Sequence, residues 1–170
     1  MATVRVLFCL LCGIAIGGSR PDGRNDVRTS VLQIATAELG VREVGNNGGP
    51  RVRTYLAYAG IKTPAPWCAA FLSYCFGSAG CTEPKTAWSP AMFPAVRLTS
   101  DPKPADVFGI YFENLQRIGH VGLVERLQGK FIFSIEGNTS ADGSREGTGV
   151  FRRLRHTRTI SKYADWITVK

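Results

Sequence analysis

Apolar side chains in the first part of the chain recur at the three- and four-residue spacing of a helix. The segment SVLQIATAELG predicts a first helix over residues 30–40. Ser30 and Gln33 are placed as a capping box at its start, and Gly40 is placed where a helix stops. The apolar face of this helix would consist of Val31, Ile34, Ala35 and Leu39.

Two further helices are predicted before the pattern changes. The turn-forming segment GNNGGP separates the first helix from a short one over residues 51–60. A third helix is predicted from about Trp67 to Gly77, where small and large apolar groups mix as in a buried helix. Residues 82–104 are proline-rich and predict a long loop, with one helical turn over residues 89–96.

The second half of the chain shows alternating apolar and polar positions separated by turn residues, which predicts strands. Because helices precede strands, the pattern indicates an α+β domain with N-terminal helices packed on a largely antiparallel sheet. The predicted strands are ADVFGIYF (105–112), HVGLVERL (120–127), KFIFSIEGN (130–138), GVFRRLR (149–155) and WITV (166–169).

Composition agrees with one soluble domain. The chain has 170 residues, of which 44% are hydrophobic and 20% are charged. Its formal net charge of +8 favours an anionic partner such as nucleic acid, a membrane surface or an acidic cell envelope. Solubility alone would explain the same charge.

The N-terminus predicts export. Arg5 precedes an apolar run over residues 6–18 that ends in small residues, as in a secretory signal peptide, and this run is too short for a membrane span. Residues 1–19 are therefore interpreted as a signal peptide and residues 20–27 as a linker, with the domain over 28–170 and a periplasmic or extracellular location. A buried core helix is the alternative, but no polar face interrupts the run.

Cysteine usage singles out one thiol. Cleavage of the signal would leave Cys68, Cys75 and Cys81, an odd number for an exported protein. Cys75 and Cys81 could form a disulfide if the third helix ended between them. Cys68 would then be a free thiol, whose retention suggests a chemical use.

The position of Cys68 favours a nucleophile. It lies at the start of the third helix, where unpaired N–H groups and about half a positive charge stabilise a thiolate. The same N–H groups can stabilise the oxyanion that forms when a carbonyl is attacked. The alternative is that Cys68 has no chemical role, since most free cysteines serve only as small buried hydrophobic residues.

A base and its orienting group are found in the predicted sheet. His120 opens a strand, whereas the other histidine, His156, lies among arginines that disfavour a protonated ring. Glu136 and Asn138 are two residues apart on the next strand and so share a face. If the two strands pair, one of them could hold the imidazole in the orientation that a base requires.

Three motifs together resemble the CHAP domain, a papain-like (NlpC/P60-like) group of cysteine amidohydrolases and peptidases. They are PWCAAFLSYCF, IGHVGLVE and IEGNTS, and the resemblance covers roughly residues 28–156. It implies that Cys68 is the nucleophile and His120 the base, with Glu136 orienting His120 and Asn138 assisting it or polarising the site.

The resemblance also implies a substrate. The expected reaction is hydrolysis of a peptidoglycan amide bond through a thioester, either between muramic acid and L-alanine or within the peptide stem or bridge. Trp67, Asn46 and Asn47 would contact the substrate, although a turn explains the asparagines equally well. No Asp-rich calcium loop is found, so no metal or cofactor is expected, and the protein is expected to be a monomer.

Three other functions are alternatives. A cell-wall-binding module of the same fold would lack turnover. A metal site built from the three cysteines and His120 would lack the C-x-x-C pairs of structural zinc sites. Nucleic-acid binding through FRRLRHTR (151–158) would have few interleaved aromatic residues and would conflict with export.

Overall fold

Helices precede a single sheet in the structure, a computed structural model that describes residues 23–140 and 147–168. The helices are α1 (Gly23–Ala37), α2 (Pro50–Tyr58) and α3 (Cys68–Ser78). The strands are β1 (Leu98–Thr99), β2 (Val107–Phe112), β3 (Arg117–Gln128), β4 (Phe131–Thr139), β5 (Gly149–His156) and β6 (Lys162–Ala164). The predicted α+β class is confirmed, while the predicted signal peptide lies outside the described residues.

The first helix begins earlier than the sequence predicted. It starts at Gly23, so residues 23–27, which were interpreted as linker, are helical. Ser30 and Gln33 lie inside α1 and do not cap it. Arg28, the first residue of the predicted domain, anchors α1 to two buried carboxylates: Asp106 at 2.7 Å and Asp165 at 2.8 Å.

The sheet has six strands in the order β1-β6-β2-β3-β4-β5, and every neighbouring pair is antiparallel. One face carries Val121, Leu123 and Ile135, which belong to the main core with the three helices. The opposite face carries a second cluster of Phe108, Val124 and Ile132. This alternation follows from the two-residue period of strands.

Helix α3 is the central element of the core, and most of its residues are buried. Helix α3 packs against β3 and β4, and Phe71 of the helix lies against Gly137 of β4. A β-carbon at Gly137 would lie 2.7 Å from Cγ of Phe71, which is too close for any larger side chain. Glycine therefore sets how closely α3 approaches the sheet.

The last strand is not the predicted one. Residues 166–168 of WITV form a bend, and the strand is β6, Lys162–Ala164, inserted between β1 and β2. Trp166 instead donates its indole N–H to the Met92 carbonyl at 3.2 Å, and Ile167 contributes to the main core. Apolar content alone suggested a strand where tertiary contacts hold an irregular segment.

The expected Cys75–Cys81 disulfide is not present, since all three cysteines of the described residues are free thiols. The helix does end between these residues, at Ser78, but the Cys75 side chain is fully buried in the core. Cys81 follows the helix and is only partly buried.

The described ranges contain no helix that has both the length and the apolar character needed to cross a membrane.

Candidate active site

Cys68 is the first residue of α3, as the sequence predicted. No side chain caps this helix at Trp67, so the first N–H groups of α3 are not satisfied by a capping side chain. The Cys68 side chain is 4% exposed but lines a cleft of about 400 Å³. The thiol is therefore largely removed from water, yet it faces the space that a ligand can occupy.

His120 lies within β3, next to an irregularity in the sheet. The pairing of β2 with β3 shifts register between Ile110 and Tyr111, which leaves Gly119 as the extra residue of β3. Bulges of this kind re-aim the neighbouring side chain. The His120 side chain is 2% exposed, and its Nδ1 atom has no hydrogen-bond partner in the described part of the chain.

Glu136 holds the other nitrogen of His120. The distance between His120 Nε2 and Glu136 Oε2 is 2.8 Å, and the Glu136 side chain is completely buried. A β-carbon at Gly122 would lie 2.7 Å from Cγ of Glu136 and 2.4 Å from Cζ of Phe108. The glycine of GHVG therefore provides the space in which the carboxylate reaches the ring.

Side chains of β4 and β5 donate hydrogen bonds to the carboxylate of Glu136, and one of them carries a positive charge. The Ser134 hydroxyl donates to Oε1 at 2.6 Å. Arg155 donates through Nε to Oε1 at 2.9 Å and through Nη2 to Oε2 at 2.6 Å. A bidentate guanidinium of this kind is a strong, geometrically specific partner for a buried carboxylate.

The pKa values of these groups follow from their contacts. Burial alone would raise the pKa of Glu136, but hydrogen bonds from Arg155 and His120 outweigh it and lower that pKa to about 2. Burial alone would lower the pKa of His120, but the Cys68 thiolate and the Glu136 carboxylate raise it. The site thus favours a protonated imidazole.

The same balance favours a thiolate at Cys68. Burial alone would raise the pKa of the thiol, but the neighbouring His120, the Ser89 hydroxyl and the Val121 N–H lower it below the usual value. The Ser89 oxygen lies 3.4 Å from the Cys68 sulfur. By contrast, burial raises the pKa of the Cys75 thiol, which is consistent with an inert core residue.

The cleft next to Cys68 is polar on the side of the α1–α2 loop. Glu43, Asn46 and Asn47 line it, as expected for the two asparagines. The Asn47 side-chain amide donates to Asn46 Oδ1 at 2.8 Å, and its own backbone is left-handed at φ 55°. The two asparagines therefore lie in a bend of the chain and also line the cleft, and their contact with a substrate stays a prediction.

Asn138 and Trp67 are placed differently from expectation. Asn138 lines the cleft with Cys68, but its backbone has φ 53° beside a register shift of β4, so it does not share a strand face with Glu136. Among the described residues, it makes no hydrogen bond to His120. Trp67 is fully buried, so it is not a substrate contact; it donates to Glu43 at 3.1 Å and stacks on Tyr55.

Sequence reasoning missed Arg155, Ser134 and Ser89. The sequence singles out Arg155 only within FRRLRHTR, the segment of the nucleic-acid-binding alternative. The Arg155 guanidinium instead pairs with Glu136, and Arg152 forms an exposed pair with Glu125. A buried glutamate on one strand requires a cation, and FRRLR on the adjacent strand was the available signal. No sequence signal points to Ser89, which a loop brings to Cys68.

No group of three or more histidine, cysteine or acidic side chains that could hold a metal ion is found within residues 23–140 and 147–168. The chemistry that this arrangement supports is nucleophilic attack by a thiolate, with an imidazolium as proton donor.

Comparisons with known proteins locate the fold. No family model and no curated protein matches the sequence. The chain is similar to the peptidoglycan hydrolase RipB from Mycobacterium tuberculosis, with a TM-score of 0.56 and 16% identity over 92% of this chain and 75% of RipB. The two proteins share a fold.

A second neighbour is more distant. Two crystal structures of Ly7917, one of them with the hydrolyzing product of MDP, match with a TM-score of 0.47 and 18% identity. They cover 80% and 82% of this chain, and the chain spans 60% and 63% of Ly7917.

Proposed function

We propose that the protein is a cysteine-dependent peptidoglycan hydrolase of the CHAP type that cleaves an amide bond. The observation that carries this proposal is the position of Cys68. Its thiol lines a cleft at the start of α3, beside a buried His120 whose far nitrogen is held by Glu136 at 2.8 Å. The shared fold with a peptidoglycan hydrolase supports this substrate class.

The contacts support a two-step mechanism. The Cys68 thiolate attacks the amide carbonyl carbon, and N–H groups at the start of α3 stabilise the oxyanion. The C–N bond breaks, the amine leaves with the proton of His120, and a thioester remains. Water then attacks the thioester and gives a proton to His120, which releases a carboxylic acid and restores the thiolate.

Glu136 stabilises the imidazolium in the resting enzyme and orients the ring. Because the carboxylate is itself held by Arg155 and Ser134, it stays ionised and does not move as His120 gains and loses its proton. Ser89 would stabilise the thiolate as a hydroxyl donor. Export through the N-terminal segment, to the periplasm or the medium, and action as a monomer belong to the same proposal.

Digestion of purified peptidoglycan tests this function. The wild-type protein should release soluble fragments, whereas Cys68→Ala and His120→Ala should release none above background. Cys75→Ala is the matched control, since its thiol lies away from the cleft, and activity should persist if this variant folds. Mass spectrometry then identifies the bond: new N-terminal L-alanine means an amidase, and other new amines mean an endopeptidase.

Thiol reactivity separates an enzyme from a wall-binding module of the same fold. Cys68 should react with iodoacetamide well below the pH at which free cysteine reacts, and His120→Ala should slow this reaction at least about tenfold. An unreactive Cys68 in a protein that still binds peptidoglycan would favour the binding module.

A further inference from the structure

The cleft continues past Cys68 into a second cavity of about 390 Å³. We call this cavity the basic arm because Lys85 and Arg117 line it, together with Trp88. We propose that the basic arm binds a carboxylate-bearing part of a short peptide, such as a peptidoglycan stem, and thereby fixes the direction in which the substrate lies across Cys68. This inference rests on the proposed function and specifies its substrate.

The basic arm and the polar cleft belong to one continuous depression. Pro66 and Gly119 line both cavities. Ser89 lines the basic arm, and its hydroxyl lies 3.4 Å from the Cys68 sulfur. A ligand that fills both cavities must therefore pass over the candidate nucleophile.

The positive groups of the basic arm are held in place but not neutralised. The Arg117 guanidinium stacks over the Trp88 ring, with Cζ 4.1 Å from the ring centroid, and Nη1 donates to the Ile118 carbonyl at 3.0 Å. Lys85 Nζ lies 5.3 Å from the Tyr58 ring centroid. Within the described ranges, neither cation forms an ion pair with a carboxylate.

Trp88 is 53% exposed, which is unusual for a tryptophan with a fixed stacking partner. Its ring and the small apolar side chains Ala59, Ala65 and Ala87 form the wall of the basic arm. A stacked guanidinium beside such a wall suits a ligand with small apolar groups next to a carboxylate. An alanyl-glutamyl peptide has this chemistry.

The opposite arm has the complementary character. There Glu43 and the amides of Asn46 and Asn47 line the wall, so the sign of the fixed charge changes across Cys68. A peptide would place its carboxylate toward Arg117 and an amine toward Glu43. Charge of this kind sets register and orientation more than it sets overall affinity.

Binding measured with an inactive protein tests the proposal. In the Cys68→Ala background, titration calorimetry at low salt compares an L-alanyl-γ-D-glutamyl-diamino acid-D-alanine peptide with the same peptide carrying amidated carboxylates. We expect the free carboxylate form to bind about fivefold more tightly. Arg117→Gln should abolish this preference.

Arg126→Gln is the matched control, since Arg126 is on the same strand and also stacks on an aromatic ring, Phe133, with Cζ 3.2 Å from its centroid, but lies outside both cavities. It should keep the preference. Equal affinity for the two peptides, or a preference that Arg117→Gln leaves intact, would overturn the proposal.

The two proposals fail separately. Peptidoglycan digestion without a carboxylate preference would refute only the basic arm, whereas a carboxylate preference in a protein without hydrolysis would refute only the enzymatic function.

Discussion

The thiolate that we propose at Cys68 depends on a series of charges, of which only His120 is its direct neighbour. The thiolate is stabilised by His120, whose proton is held by Glu136, whose charge is in turn held by Arg155. Each buried charge in this series has an opposite charge or a hydrogen-bond donor beside it, as a low-dielectric environment requires. Residue types and spacing predicted Cys68, His120 and Glu136, but they did not predict Arg155 because its role arises only when β4 and β5 pair.

Replacing Arg155 with methionine should narrow the range of pH over which the enzyme works. In the wild type, the Glu136 pKa of about 2 keeps the carboxylate ionised throughout the working range. Without Arg155, burial raises that pKa, so the carboxylate is lost as the pH falls. At alkaline pH Glu136 is ionised in both proteins and still holds the His120 proton, so the expected change is confined to the acid limit.

The measurement is the pH profile of kcat/KM, in which the acid limit should rise by about one pH unit or more. Arg152→Met is the control, since Arg152 is on the same strand and its pair with Glu125 is exposed. An Arg155→Met profile with unchanged limits would show that the guanidinium has only a structural role.

At the level of elements, the site depends on how closely α3 approaches β3 and β4. The helix carries Cys68, and the strands carry His120 and Glu136, so a shift between the layers separates the sulfur from the imidazole. Helical and strand periodicity predicted each of these elements. The bulge at Gly119 and the left-handed turn at Asn138 were not predicted, because they result from strand pairing rather than from local sequence.

Gly137→Ala should therefore reduce kcat strongly while lowering the free energy of unfolding only moderately. The new methyl group would lie 2.7 Å from the Phe71 ring and push α3 from β4. We expect at least about a tenfold loss of kcat with a destabilisation of about 1–3 kcal/mol. Activity is measured on peptidoglycan and stability by urea unfolding.

Gly23→Ala serves as a control for this change, because no atom lies within 4 Å of a β-carbon there. Full activity in Gly137→Ala would mean that the distance between α3 and the sheet does not position Cys68.

Across the whole molecule, Arg28 connects distant parts of the chain. From α1 it donates to the Pro104 carbonyl and Asp106 Oδ1, both at 2.7 Å, and to Asp165 Oδ2 at 2.8 Å. Pro104 and Asp106 immediately precede β2, and Asp165 immediately follows β6. One buried guanidinium therefore joins α1 to the start of β2 and to the end of β6. No local pattern predicts this contact, and the sequence alone predicts a linker over residues 20–27.

Arg28→Met should destabilise the fold without altering the site. Removing the cation leaves two buried carboxylates without their counter-charge, which costs about 3 kcal/mol. The melting temperature should fall by about 10 °C, while kcat at low temperature stays near that of the wild type. Thermal unfolding followed by circular dichroism measures the first effect, and a variant that melts like the wild type would contradict it.

Local sequence was sufficient for the class of fold, the start of α3 at a cysteine, and the residue types of the candidate site, because each depends on nearest neighbours along the chain. Tertiary structure decided which groups neutralise the buried charges, where the final strand lies, and how the two arms of the cleft meet at Cys68. Those features arise from pairing between strands and packing between layers, which join residues far apart in sequence, and no local pattern encodes such contacts.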